Sequence, residues 1–288
     1  MRRIDVEGMP AVASLAWPRP KTNHEQQTQP TWPLLVLSGP LLVLILVPLI
    51  ALVAKTPPVS LLEATRQETT RQAILLSLCT STVTMLAVLA FGTPLAYLLG
   101  RRRPPRVSLI EVLIDLPTVL PPAVAGLALL MAFGRRGLLG GLWEPLGIHI
   151  PFTTLAVVMA QAFVAAPYYV KTAAVGLSGV SRELEQAAAL DGASTWETFR
   201  HVMLPLTWQS IIGGATLCWA RALGEFGATI IFAGNLPGRT QTMPLAVYMG
   251  FEMDMDQALT LAVILLALSF GLLFAVRTTL RNRAQSAS

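Results

Sequence analysis

Apolar stretches long enough to cross a lipid bilayer recur along the chain, and those at 116–133, 152–170 and 258–276 contain no Asp, Glu, Lys or Arg. Backbone amides in hydrocarbon must bond within their own segment, and a core roughly 30 Å thick takes about 20 residues of α-helix to span. Six segments meet or approach that length, at 34–53, 73–99, 107–133, 152–170, 206–233 and 258–276. With 53% hydrophobic and 13% charged residues and a mean hydropathy of +0.60, the chain lies well outside soluble globular composition. The expectation is an all-α polytopic membrane protein with six transmembrane helices. The fifth segment holds Arg221 and Glu225, and its length implies tilt, a break or early entry into the lipid. No internal repeat or long low-complexity tract interrupts the pattern.

Cations set the orientation. With a cytoplasmic N-terminus the inside segments hold fourteen Lys and Arg and the outside loops six. The positive-inside rule then predicts both termini in the cytoplasm, the loop at 181–205 among the inside segments, and a +5 net charge explained by this asymmetry rather than by nucleic-acid binding. The run Arg101-Arg102-Arg103 reads as the anchor of a helix end. Residues 1–33 are polar and proline-bearing, a disordered cytoplasmic lead rather than a cleaved signal peptide, and 281–288 form a short tail. Residues 34–280 make up the membrane domain.

One segment has no role in spanning lipid. Ser181 is placed to cap a short helix at 182–190, where Glu183 and Glu185 favour the positive end of the helix dipole, and Gly192 permits a sharp stop. Ser194 with Glu197 three residues later forms a capping box for a second helix, whose end Pro205 marks. Ala187, Ala188 and Ala189 leave a low-relief face. The residues alone leave two readings open, a solvated loop or a docking knob for another protein.

Chemistry of its own is hard to find in the chain. Cys79 and Cys218 lie singly inside apolar runs, and His24, His149 and His201 are scattered. No metal-ligand spacing, nucleophile elbow or paired carboxylates emerge, so the expectation is no catalytic residue, no metal and no cofactor. The phosphate-cradling G-x-x-x-x-G-K-[ST] pattern is missing as well, so any ATP that drives the protein binds another subunit.

The hairpin resembles the shared cytoplasmic motif of permease subunits in bacterial ABC importers that work with a binding protein: E-A-A, three residues, G, nine residues, I-x-L-P. Gln186-Ala187-Ala188 precede Gly192 by three residues, and nine more lead to Val202-Met203-Leu204-Pro205. Gln186 stands where glutamate is usual, with Glu185 beside it, and Val202 replaces isoleucine. The stretches 220–229, 232–235 and 240–248, with Asp115-Leu116-Pro117 and Leu120-Pro121-Pro122, resemble the molybdate importer permeases in particular; sulfate permeases look similar around Gly224-Glu225. The resemblance implies type I importer architecture in the bacterial inner membrane and a homodimer. It also implies two separate ATPase subunits docked on a knob built from Glu185, Gln186, Ala187, Ala188, Gly192, Leu204 and Pro205, and an extracytoplasmic binding protein that delivers the oxyanion. Sulfate or tungstate import and, from a different class, an ion-coupled secondary transporter are the alternatives; paired broken helices in repeated halves, which would favour the last, are not found.

Within the membrane, Arg221 and Glu225 are four residues apart and able to pair across a turn. A lone charge facing lipid costs about 2.5–3.5 kcal/mol on insertion scales, so the expectation is a structural clasp, with a place near the anion path as the alternative. Pro117, Pro121 and Pro122 are placed to bend the third span, and Gly213 and Gly214 to let helices approach.

Overall fold

The computed structural model describes residues 32–102 and 107–286, and every regular element among them is helical. The expected lead at 1–33 lies outside the described residues except for Trp32 and Pro33, which already belong to the first helix. The chain divides into two units between Leu49 and Ile50. Helix α1 (Trp32–Lys55) crosses that boundary and exposes most of its Leu, Ile and Val side chains, a surface suited to lipid rather than water.

After the short α2 (Pro58–Arg66), α3 (Glu68–Tyr97) buries Ala73, Ser77, Ser81, Thr84, Val88, Gly92 and Ala96, spaced by three or four residues along one helical face. Small side chains on that face let neighbouring backbones come close. Helix α4 (Val107–Val119) is followed by α5 (Pro122–Phe133) and by the four-residue α6 (Gly140–Trp143). Then α7 (Thr154–Ser178) packs along α3, two short helices α8 (Arg182–Leu190) and α9 (Thr195–Thr198) follow, and α10 (Leu204–Leu223) closes a three-helix core with α3 and α7. Tyr169 of α7 is fully buried at its centre. A Cβ on Gly92 would stand 3.0 Å from its ring, and one on Gly214 would stand 3.2 Å from the ring and from its carbonyl oxygen. The core also holds polar groups that satisfy one another: Thr84 donates to Gln161 at 3.0 Å, and the Gln161 amide donates to Thr80 at 3.2 Å.

Two of the expected spans are broken. A bend of 116° separates α4 from α5. Consecutive Pro121 and Pro122 cause it, since each lacks an N–H and forces its predecessor out of helical geometry; Pro121 sits at ψ 136°. In the fifth segment α10 stops at Leu223, and α11 (Gly227–Phe232) begins after Gly224, Glu225 and Phe226, the break its length had suggested. The two breaks meet. A Cβ on Gly227 would come within 2.4 Å of Pro122, and one on Gly126 within 2.7 Å of the Ala228 carbonyl, so glycine alone admits this contact between α5 and α11.

Helix α12 (Met243–Met253) lies against α13 (Met255–Ser286), which continues into the region expected as a tail. Among the described residues four helices are long and apolar enough to cross a membrane, at Val36–Lys55, Glu68–Arg101, Thr154–Ser178 and Met255–Thr279, and the bent α4–α5 pair makes a fifth candidate if it counts as one span. Helix α10 stands outside that count because Thr207, Gln209, Ser210 and Arg221 dilute its apolar residues.

Candidate functional site: a capped hairpin and two ion pairs

The hairpin is built from local signals. Ser181 takes the extended N-cap conformation of α8, although its hydroxyl makes no capping bond, contrary to the expectation that this side chain caps the helix; backbone geometry alone starts the turn. At the other end the Ala193 N–H donates to the Ala188 carbonyl at 2.9 Å and the Gly192 N–H to Ala189 at 3.1 Å, with Gly192 at φ +83°. This is a Schellman stop, which needs a residue free to turn left-handed. Ser194 then caps α9: its hydroxyl accepts the Glu197 N–H at 3.3 Å, and the Glu197 carboxylate accepts the Ser194 N–H at 2.8 Å. Those bonds, the backbone one first, hold the Glu197 carboxyl below its ordinary range. Pro205 does not end this helix, as the sequence had suggested. A π-helical turn at Phe199–Met203 carries the chain into α10, whose first turn holds Pro205, where a missing N–H leaves no bond unmade.

The motif residues divide between two sides. Gln186, Ala187, Gly192 and Pro205 are exposed, and Ala188 and Leu204 are half-buried. Exposed apolar side chains stand beside them, with Leu190 at 90% and Trp196 at 64% of full exposure. Glu185 instead turns toward the membrane helices. Its Oε1 lies 2.8 Å from Nε and 2.7 Å from Nη2 of Arg101, a residue read from the sequence only as part of a helix anchor. Arg101 sits in a π-helical turn, Leu98–Arg102, that ends α3, and its Nη1 donates to the Val180 carbonyl at 2.6 Å. Its side chain is only 6% exposed. The sequence signal for this contact was thin: a cation directly after Gly100 at the end of a long apolar helix, with no local partner.

The second pair lies at the break in the fifth segment. Arg221 Nη1 stands 2.6 Å from Glu225 Oε2, and Glu225, 1% exposed, uses its other oxygen to accept the Ala228 N–H at 2.8 Å. One carboxylate thus joins the last turn of α10 to the first turn of α11. Glu225 lies beyond the end of α10, so the pair bridges a break rather than one continuous helical face. Another contact was not anticipated: Asp115 of α4 pairs with Lys171 of α7 at 2.8 Å. Fifty-six residues separate the two, and no local pattern announces such a contact.

A helical membrane bundle with two broken helices and one discrete, doubly capped polar hairpin is the build of a transport permease. The chain belongs to the family of binding-protein-dependent transport system inner membrane components, whose pattern matches residues 92–284. It is similar to NifC of Clostridium pasteurianum, a probable transport system permease protein, at 35% identity over 249 residues, covering 86% of this chain and 87% of that one. It is also similar to ModB of Escherichia coli K12, a molybdenum transport system permease protein, at 45% identity over 178 residues, covering 62% and 78%. In fold it matches a bacterial ABC transporter involved in import of the acidic polysaccharide alginate, with a TM-score of 0.68 over 88% of this chain and 96% of that one, at 14% identity.

Proposed function

We propose that this chain forms the translocation pathway of an ATP-driven molybdate importer. It acts as a homodimer, each subunit crossing the inner membrane six times through α1, α3, α4–α5, α7, α10–α11 and α13, with both termini in the cytoplasm. Two ATPase subunits, separate chains, grip the hairpin, and an extracytoplasmic binding protein delivers the oxyanion. The observation that carries the substrate is the 45% identity with a molybdenum permease. The orientation is supported by the excess of cations on the inner side.

Closure of the ATPases moves the hairpins and, through them, the attached helices between inward-open and outward-open states. The cargo shifts that equilibrium only through its different affinity for the two. The exposed Ala187, Leu190 and Trp196 supply an apolar contact surface, and the two caps make the hairpin stiff enough to be pushed. The test is uptake of labelled molybdate into proteoliposomes holding the permease, the ATPase and the binding protein. Uptake that needs all three and ATP is expected, with sulfate and tungstate as competitors to rank selectivity. Uptake by the permease alone would refute the reading in favour of a secondary transporter. Gly192→Pro, which cannot adopt φ +83°, should abolish uptake; unchanged transport would remove the hairpin from the coupling path.

A further inference from the structure

We infer that Arg101 is the residue through which hairpin motion enters the membrane helices: its buried guanidinium locks α8 to the ends of both α3 and α7. The inference rests on the coupling role proposed above and goes on to name how the hairpin is fastened to the spans.

A hairpin that only rested on flexible connections would tilt under load and transmit little. Here the connection into α8 is Gly179, Val180 and Ser181, and Arg101 bridges it from the side. Two of its nitrogens meet Glu185 Oε1 on α8, and its third donates to the Val180 carbonyl at the exit of α7. One step earlier Gly100 presses on α7 so closely that a Cβ would lie 2.7 Å from the Ala174 carbonyl. The π-helical turn at Leu98–Arg102 adds a residue to the helical repeat, which re-aims the side chains that follow it. Planar, multivalent donation of this kind is what arginine supplies and lysine does not. A second contact lies alongside, where Tyr97 meets the Phe199 ring edge-on at a centroid distance of 5.6 Å.

Glutamate at 185, facing inward, and not Gln186, facing outward, therefore carries the internal link. Gln186 is left free for a partner surface. Arg101 acts here as a positioning residue, with no contact to cargo or nucleotide.

The test is a double-mutant cycle on the full assembly in proteoliposomes, with molybdate taken up per ATP hydrolysed as the readout. Arg101→Ala and Glu185→Ala should each lower that ratio by about ten-fold, within the usual range for coupling between two sites, while ATP hydrolysis and copurification of the ATPase persist. The double variant should be no worse than either single, since both remove one link. Arg101→Lys, which keeps the charge but not the planar fork, should restore part of it. An unaltered ratio in Arg101→Ala, or additive losses in the double variant, overturns the inference. Should Arg101→Ala fail to assemble, Glu185→Gln, which keeps the size of the side chain and the Arg101–Val180 bond, carries the same comparison. Failure of the unaltered assembly to import molybdate would sink the proposed function instead, so the two failures are distinct.

Discussion

Removal of the Glu225 carboxylate should loosen the break between α10 and α11 more than any conservative change there. Glu225→Ala leaves two groups stranded, the Arg221 guanidinium and the Ala228 N–H. Breaking a buried pair by deleting one partner costs about 3–5 kcal/mol; Arg221 is 28% exposed, and solvent or headgroups relieve part of that, which points to the lower end. Loss of a helix-capping acceptor adds about 1 kcal/mol. The expected total is about 3–4 kcal/mol, against about 1–2 kcal/mol for Glu225→Gln, whose single amide oxygen still accepts from one of the two neighbours. Cys218 provides the assay, because it is fully buried on α10 while Cys79 is exposed. In a Cys79→Ala background, the rate of Cys218 modification by a membrane-permeant maleimide tracks the opening equilibrium when reclosing outpaces the reagent. Since about 1.4 kcal/mol is ten-fold, Glu225→Ala should speed labelling at least roughly 100-fold and Glu225→Gln roughly ten-fold. Equal acceleration by the two, or an acceleration under about three-fold for Ala, would show that the carboxylate does not hold the break together.

Three further outcomes are expected. Gly126→Ala places a Cβ against the backbone of Ala228, which cannot swing aside, and should lower unfolding stability by about 1–3 kcal/mol, read as an earlier melting transition, whereas Gly213→Ala on α10, where a Cβ meets nothing, should be neutral or gain up to about 1 kcal/mol. Gly192→Ala also meets open space but must hold φ +83°, so hydrogen exchange of the α8 amides should quicken by the equivalent of about 1–2 kcal/mol, with no matching change in the membrane core. The Glu197 carboxyl is lowered on folding, so the capping box contributes stability above the unfolded value of 4.5 and loses it as pH falls from there through the lower folded value. Exchange around Ser194 should accordingly be steady at neutral pH after correction for intrinsic rates and accelerate below 4.5, and Glu197→Gln should remove that pH dependence.

Local signals were legible in the chain because each acts within a few residues. Ser194 and Glu197 form their capping box, Gly192 turns left-handed where the helix must stop, and the paired prolines at 121 and 122 break the third apolar segment. The apolar runs likewise declared a helical membrane protein, since their length and lack of charge leave the backbone no other way to satisfy its amides. Capping was overread where it depended on a side-chain bond, at Ser181, and where a helix boundary depended on what followed, at Pro205.

Contacts across long separations could not be read in this way. Arg101 lies 84 residues from Glu185, and Asp115 lies 56 from Lys171, and in the linear chain every cation looks equally free. The meeting of Gly126 and Gly227 with the opposite broken helix was equally hidden, because a glycine in an apolar run states only that the backbone is bare, not what approaches it. The linear chain by itself determined that the molecule would fold as apolar helices suited to lipid, interrupted by one polar hairpin. Only the tertiary packing, which brings remote residues within bonding distance, decided which charges become links and which broken helices meet.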